Sequence, residues 1–192
     1  MKSAIREAMR ARLSILSESE RLAAATTIVE NLVTHPFFLQ SQHIACYFST
    51  ASECDTTLII QAIWQAQKSC YLPALNKQKL HFVEYHPDSV LLPNQYGIPE
   101  PRDVPSKSLH QLDLVIMPLA AFDRAGRRLG QGGGYYDRTF AFRQSDSNPP
   151  YLLGLAFSVQ EVDALISDPW DVNLDGVITE CGWRMNFQNH LL

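Results

Sequence analysis

"LDLVIMPLA", Leu112 to Ala120, is an apolar run of strand length, continuous from Leu114 onward after the single acid Asp113. A strand with water on one face alternates polar and apolar residues, so a continuous run belongs to a parallel strand covered on both faces. Outward from it, strand-like and helix-like segments alternate. Upstream, "HIACYFS" (His43 to Ser49) reads as a short buried strand. "TTLIIQAIWQAQK" (Thr56 to Lys68) reads as a helix, because Leu58, Ile59, Ala62, Ile63 and Ala66 fall on one helical face. "CYLPAL" and "KLHFVEY" are two more strands, followed by a proline-punctuated stretch from Pro87 to Pro105. Downstream, a glycine-rich segment opens a helix expected over Tyr135 to Arg143, and "YLLGLAF" (Tyr151 to Phe157) and "GVITE" (Gly176 to Glu180) supply further strands. This alternation predicts the α/β class, with a mostly parallel sheet flanked by helices.

Nearer the start, Ser17 followed by Glu20 forms a capping box. It opens a helix carrying Leu22, Ala25, Ile28, Val29, Leu32 and Val33 at helical spacing, which should stop near His35-Pro36. "MKSAIREAMRARLSILS" places Lys2, Arg6, Arg10 and Arg12 against one acid, Glu7. Organelle transit peptides share that charge pattern, but the helical periodicity runs on toward the core without a cleavage boundary, which favours a mature helix.

At 192 residues, with 46% hydrophobic and 10% aromatic residues, the chain is expected to form one globular domain over residues 1–192. The net charge of −4 offers no global basic surface to a nucleic acid. Cys46, Cys54, Cys70 and Cys181 form no C-x-x-C pair and read as reduced packing residues of a cytoplasmic protein. No apolar run reaches the length of a membrane span. His35, His43, His81, His86, His110 and His190 show no metal-ligand spacing. A monomer that acts on small molecules is the expectation, with neither a nucleic acid nor a membrane as partner.

The segment "RLGQGGGYYDR", Arg128 to Arg138, carries the chemistry. Gly130, Gly132, Gly133 and Gly134 put four glycines in five positions, a backbone entropy cost that a simple turn does not require. The segment is not a Walker A loop, because no Lys-Ser or Lys-Thr follows the glycines. It also lacks the dinucleotide fingerprint of the Rossmann fold, since Tyr135 stands at the third glycine position; the layers are Rossmann-like without that motif. One reading is a flexible loop at a helix start. The other is a phosphate site made of bare amides, a helix N-terminus and the guanidiniums of Arg127 and Arg128. Asp137 either caps the first helical turn or holds Mg²⁺ beside a polyphosphate.

The wider segment "MPLAAFDRAGRRLGQGGGYYDRTF", Met117 to Phe140, closely resembles the signature of the 5-formyltetrahydrofolate cyclo-ligase (methenyltetrahydrofolate synthetase) family. "KSAIR" (Lys2 to Arg6) resembles the family's basic opening, and "FSTASECDT" (Phe48 to Thr56) its strand-end acid motif. "YGIPEP" (Tyr96 to Pro101) and "WDVNLDGVITE" (Trp170 to Glu180) resemble later family segments in matching order.

The resemblance implies conversion of 5-formyltetrahydrofolate to 5,10-methenyltetrahydrofolate with ATP as co-substrate and Mg²⁺ as cofactor. It implies ATP contacts from Lys2, Ser3, Ala4, Ile5 and Arg6, and from Arg128, Leu129, Gly130, Gln131, Gly132, Gly133, Gly134, Tyr135 and Tyr136. Arg128 is the expected catalytic residue, stabilising charge on the transferring phosphoryl group. Gln131 to Tyr135 would also face the folate, together with Phe48, Glu53 and Tyr96; Glu100 is a further pocket candidate. Without the motif, Phe48 would pass for a core residue and Glu53 for a solvated loop acid. Asp137 and Asp171 are the expected magnesium carboxylates, with Asp175 as the alternative to Asp171 or a turn cap. The family often carries a basic residue at the position of Gln131 or Gly133, and both are uncharged here. That departure keeps open a second class, a nucleotide- or folate-binding module without turnover. A third, nucleic-acid binding by the basic N-terminal helix, runs against the net charge.

Overall fold

The computed structural model describes residues 1–101, 106–146 and 149–185. In chain order the helices are α1 (Lys2–Ser14), α2 (Glu18–Val33), α3 (Pro36–Gln40), α4 (Thr57–Gln65) and α5 (Tyr135–Thr139). The strands are β1 (His43–Ala45), β2 (Ser69–Asn76), β3 (Lys79–Glu84), β4 (Leu91–Pro93), β5 (Pro99–Pro101), β6 (Ser106–Lys107), β7 (Leu114–Pro118), β8 (Ala121–Phe122), β9 (Arg128–Leu129), β10 (Tyr151–Leu155), β11 (Gly176–Thr179) and β12 (Gly182–Met185). Residues 102–105, the end of the proline-punctuated stretch, and His190 lie outside the described residues.

An eight-stranded sheet runs β12-β11-β10-β7-β1-β2-β3-β6. Its five central strands, from β11 to β2, are parallel, and β12, β3 and β6 add antiparallel edges. The expected α/β architecture is therefore present. Pro73 sits within β2 but beyond the last residue paired with β1, where its missing N–H costs no ladder bond. Alternate residues of the central strands feed two cores. Ile44, Leu114, Ile116, Leu153 and Ile178 pack under α2, α3 and α4, whereas Ala45, Val115, Met117, Leu152 and Val177 meet Phe140, Val172 and Leu174 on the other face. Long helices cover only the first face. The second is closed by α5 and extended segments.

The capping box forms as expected: the Glu20 amide donates to Ser17 Oγ at 3.3 Å and the Ser17 amide to Glu20 Oε2 at 2.8 Å. Pro36 does not simply end α2; it opens α3 at a position where its missing N–H is not needed. The helix expected over Tyr135 to Arg143 stops at Thr139 and continues as a 3-10 turn, Ala141–Gln144. Thr139 Oγ1 donates back to the Tyr135 carbonyl at 2.7 Å and accepts the Leu80 amide at 2.8 Å, tying this turn to β3.

Gly154 in β10 faces the second core, where an added Cβ would lie 2.7 Å from both Leu119 Cδ2 and Leu174 Cδ1. Both leucines are buried, so Gly154→Ala is expected to cost about 1–2 kcal/mol by overpacking. Calorimetry would read this as a thermal midpoint roughly 2–8 °C lower.

Candidate active site

β1 and β7 are adjacent, and the chain leaves β1 toward β2 but leaves β7 toward β10, so sheet order reverses between them. Their carboxyl ends form the crevice in which open α/β sheets bind ligands. A cavity of about 790 Å³ opens there, within the usual size of a small-molecule site.

The β8–β9 hairpin aims the first key residue. Asp123 Oδ1 accepts the amides of Ala125 and Arg127, and Oδ2 takes Arg127 Nε at 2.7 Å and the Leu165 amide at 2.8 Å. That turn ties Arg127 to Asp123, away from the cavity wall, and alternation along β9 sends Arg128 inward. Only one of the two guanidiniums expected at the phosphate site is therefore there. Arg128 is buried, with Nη2 at 2.6 Å from Asp137 Oδ1 and Nε unpartnered among the described residues. Burial pushes the Arg128 pKa down, and Asp137 opposes that shift.

The glycine loop follows. Gly132 (φ 112°) and Gly134 (φ 64°) adopt left-handed conformations that other residues rarely hold. Gln131 to Gly134 line the cavity, and among the described residues their amides donate no hydrogen bond. Arg138 supports the loop: Nη2 donates to the Gly133 carbonyl at 2.7 Å, and the guanidinium lies 5.2 Å from the Tyr135 ring centre.

α1 brings Lys2 and Arg6, one turn apart, to the same rim. Arg6 Nε donates to the Gly130 carbonyl at 2.8 Å, and Lys2 Nζ lies 2.7 Å from both Asp168 Oδ2 and Asp171 Oδ2. Burial pushes the Asp171 carboxyl up, but the Lys2 hydrogen bond and the Asp168 amide outweigh it, and the net shift is downward. Ser3 and Ala4 are exposed and Ile5 packs with Met9 and Leu129, so these three side chains lie outside the main cavity. Ile5 instead lines a smaller adjoining cavity of about 310 Å³.

Phe48 and Glu53 also line the cavity, with Leu72, Leu75 and Ile98 adding apolar surface. Glu53 Oε2 accepts the Thr50 amide at 2.8 Å, and Oε1 faces Gln131 Nε2 at 3.5 Å. The exposed Tyr96 hydroxyl meets the Tyr135 hydroxyl at 2.9 Å. Glu100 is buried beneath, where Oε1 accepts the Leu75 amide and Asn94 Nδ2, holding the β4–β5 hairpin against β2. Leu129, Gly130, Tyr136, Asp137 and Asp171 also line the cavity. Asp175 does not: both its oxygens accept from Arg143 at 2.8 Å and Oδ2 also takes the Leu152 amide, so it is a buried structural carboxylate.

The lining residues that were not anticipated include Tyr47, which passes for a strand residue, Asp168, which precedes the segment resembling the family, and Trp170, which stands in that segment without an assigned role. Outside the cavity, burial pushes the Cys46 and Cys54 thiols up to about 12, in keeping with unreactive packing residues.

The arrangement pairs a cationic, amide-rich end suited to a polyanion with an apolar, aromatic end suited to a flat ring system. Residues 1–180 match the 5-formyltetrahydrofolate cyclo-ligase family. The chain belongs to that family. It is 39% identical to the 5-formyltetrahydrofolate cyclo-ligase of Haemophilus influenzae over 88% of this chain and 91% of that one. With the Escherichia coli (strain K12) enzyme of the same name the identity is 36%, over 89% and 96%. The structure of Aquifex aeolicus 5,10-methenyltetrahydrofolate synthetase superposes with a TM-score of 0.84 at 29% identity, covering 100% of this chain and 95% of that one. The protein is therefore a cyclo-ligase family enzyme with the cyclo-ligase fold. Among the described residues, no helix is long and apolar enough to cross a membrane.

Proposed function

We propose that this cavity cyclises 5-formyltetrahydrofolate to 5,10-methenyltetrahydrofolate at the expense of ATP. The observation that carries the reading is the placement of four undonated loop amides and the cations Lys2, Arg6 and Arg128 on the same cavity as Phe48 and Glu53. A formyl group on nitrogen is an amide, and its oxygen leaves poorly as hydroxide. In the proposed sequence the formyl oxygen attacks the γ-phosphorus of ATP; the new O–P bond forms as the bond to ADP breaks. The neighbouring folate nitrogen N10 then attacks the activated carbon, phosphate departs with the C–O electron pair, and the N10 proton goes to solvent.

Such chemistry needs positioning and charge neutralisation more than a protein nucleophile. Lys2, Arg6 and the loop amides would bind and orient the phosphates. Arg128 would take up charge on the transferring phosphoryl group through its free Nε edge. Phe48 and Glu53 would hold the folate ring, whose flat face and N–H donors suit an aromatic side chain and a carboxylate.

No group of three metal-ligating side chains exists among the described residues. Magnesium needs only one or two carboxylates when a polyphosphate supplies further oxygens, and Asp137 and Asp171, linked by the Val172 amide donating to Asp137 Oδ1 at 3.2 Å, fit that requirement. Mg²⁺ held there would neutralise phosphate charge.

The uncharged Gln131 and Gly133 favour the alternative of a binding module without turnover, but Arg138 brings a guanidinium to the Gly133 carbonyl and restores charge to the loop. Incubation with 5-formyltetrahydrofolate and Mg-ATP separates the two. The expected result is the near-ultraviolet absorbance of the methenyl product, with one ADP and one phosphate per turnover and none without ATP. A folded protein that binds both ligands and yields no product would leave the binding module.

A further inference from the structure

Tyr47 follows the last residues of β1, and the structure fixes its backbone firmly. The Cys46 amide donates to the Tyr71 carbonyl at 2.9 Å, and the Tyr47 carbonyl accepts from Thr56 Oγ1 at 2.5 Å. The ring is 4% exposed and lines the cavity beside Phe48 and Glu53. Its hydroxyl is buried and has no hydrogen-bond partner among the described residues. Glu53 is committed instead to Thr50 and Gln131.

An unpaired buried hydroxyl destabilises the protein that carries it, and phenylalanine would fill the same space without that cost. The arrangement makes sense if the partner arrives with a ligand. Burial first, and the charge of Glu53 second, push the hydroxyl's pKa well above the ordinary tyrosine value, so at neutral pH it is a protonated donor.

Building on the proposed function, we infer that Tyr47 is a substrate-positioning residue that donates a hydrogen bond to a carbonyl oxygen of the bound folate. It precedes Phe48 directly in the chain and lines the cavity with Phe48 and Glu53, the residues proposed to hold the folate, so its effect should fall on the folate and not on ATP.

Tyr47→Phe tests this with two binding measurements and a melting curve. By calorimetry without ATP, the Kd for 5-formyltetrahydrofolate should rise about tenfold. The Kd for ATP, measured without folate, should stay within twofold, and the thermal midpoint of the ligand-free protein should hold or rise. Unchanged folate affinity would overturn the inference, whether or not the midpoint fell, because a purely structural hydroxyl would act on stability alone. If the wild-type protein itself failed to bind 5-formyltetrahydrofolate, the proposed function would fall first and the inference with it.

Discussion

Replacing Arg128 with lysine is expected to lower kcat about a thousandfold while the protein stays folded. Lysine keeps the positive charge that balances Asp137, now 2.6 Å from Arg128 Nη2, so the buried site is not left with an uncompensated carboxylate. What it loses is the planar fork that engages Asp137 on one edge while offering a free Nε on another. A single preorganised donor at a developing negative charge is worth roughly two to three orders of magnitude in rate, and a transferring phosphoryl group concentrates such charge. The loss should appear in kcat, with the KM for 5-formyltetrahydrofolate changed only slightly and a melting curve close to that of the wild type. Near-normal turnover by Arg128→Lys would show that Arg128 serves only as the structural partner of Asp137.

The second large effect is expected at the N-terminus. Lys2 and Arg6 reach the cavity from α1, whose attachment to the body rests on other residues: Met9 packs with Ala121, Leu129 and Leu165, and Leu13 lies in the main core. Changing both Lys2 and Arg6 to alanine should therefore leave the helix docked. It removes two charged contacts to phosphate, each worth about 1.5 kcal/mol, and the KM for ATP should rise roughly a hundredfold. It also leaves Asp168 and Asp171 without Lys2, adding negative charge where the nucleotide must sit. Steady-state kinetics with saturating folate reads this directly, and the folate KM at saturating ATP serves as the control. Normal ATP saturation in the double variant would return the basic N-terminus to a solvated surface.

Much of the fold was legible because its cues are local. The unbroken apolar run at β7, the capping box at Ser17 and Glu20, and the helical stripe of α4 each depend on neighbours in sequence. The elements that escaped depend on distant contacts. β4 and β5 pair as a short proline-bounded hairpin fastened by Glu100, and β12 is an edge strand beyond the Gly182 turn. α5 ended early because Thr139 bonds back to its own helix and across to β3, which periodicity does not reveal.

The candidate site divides in the same way. The glycine loop, Arg128, Asp137, Glu53 and Phe48 could be named from motifs, and they share one cavity. Arg127 looked equivalent to Arg128 until the Asp123 turn fixed the register of β9 and put the two on opposite sides. The resemblance favoured Asp171 over Asp175, and the structure gives the physical difference, with Lys2 on one and Arg143 on the other. Tyr47 gave no signal at all, because an unpaired hydroxyl becomes visible only when everything around it is in place.

The central claim is that the formyl oxygen leaves as phosphate. Substrate carrying ¹⁸O in the formyl group, turned over with unlabelled Mg-ATP in unlabelled water, tests it most directly by mass analysis of the released phosphate. The account predicts one ¹⁸O in the inorganic phosphate for each methenyltetrahydrofolate formed. Product formed alongside wholly unlabelled phosphate, with the ¹⁸O recovered in water, would contradict it.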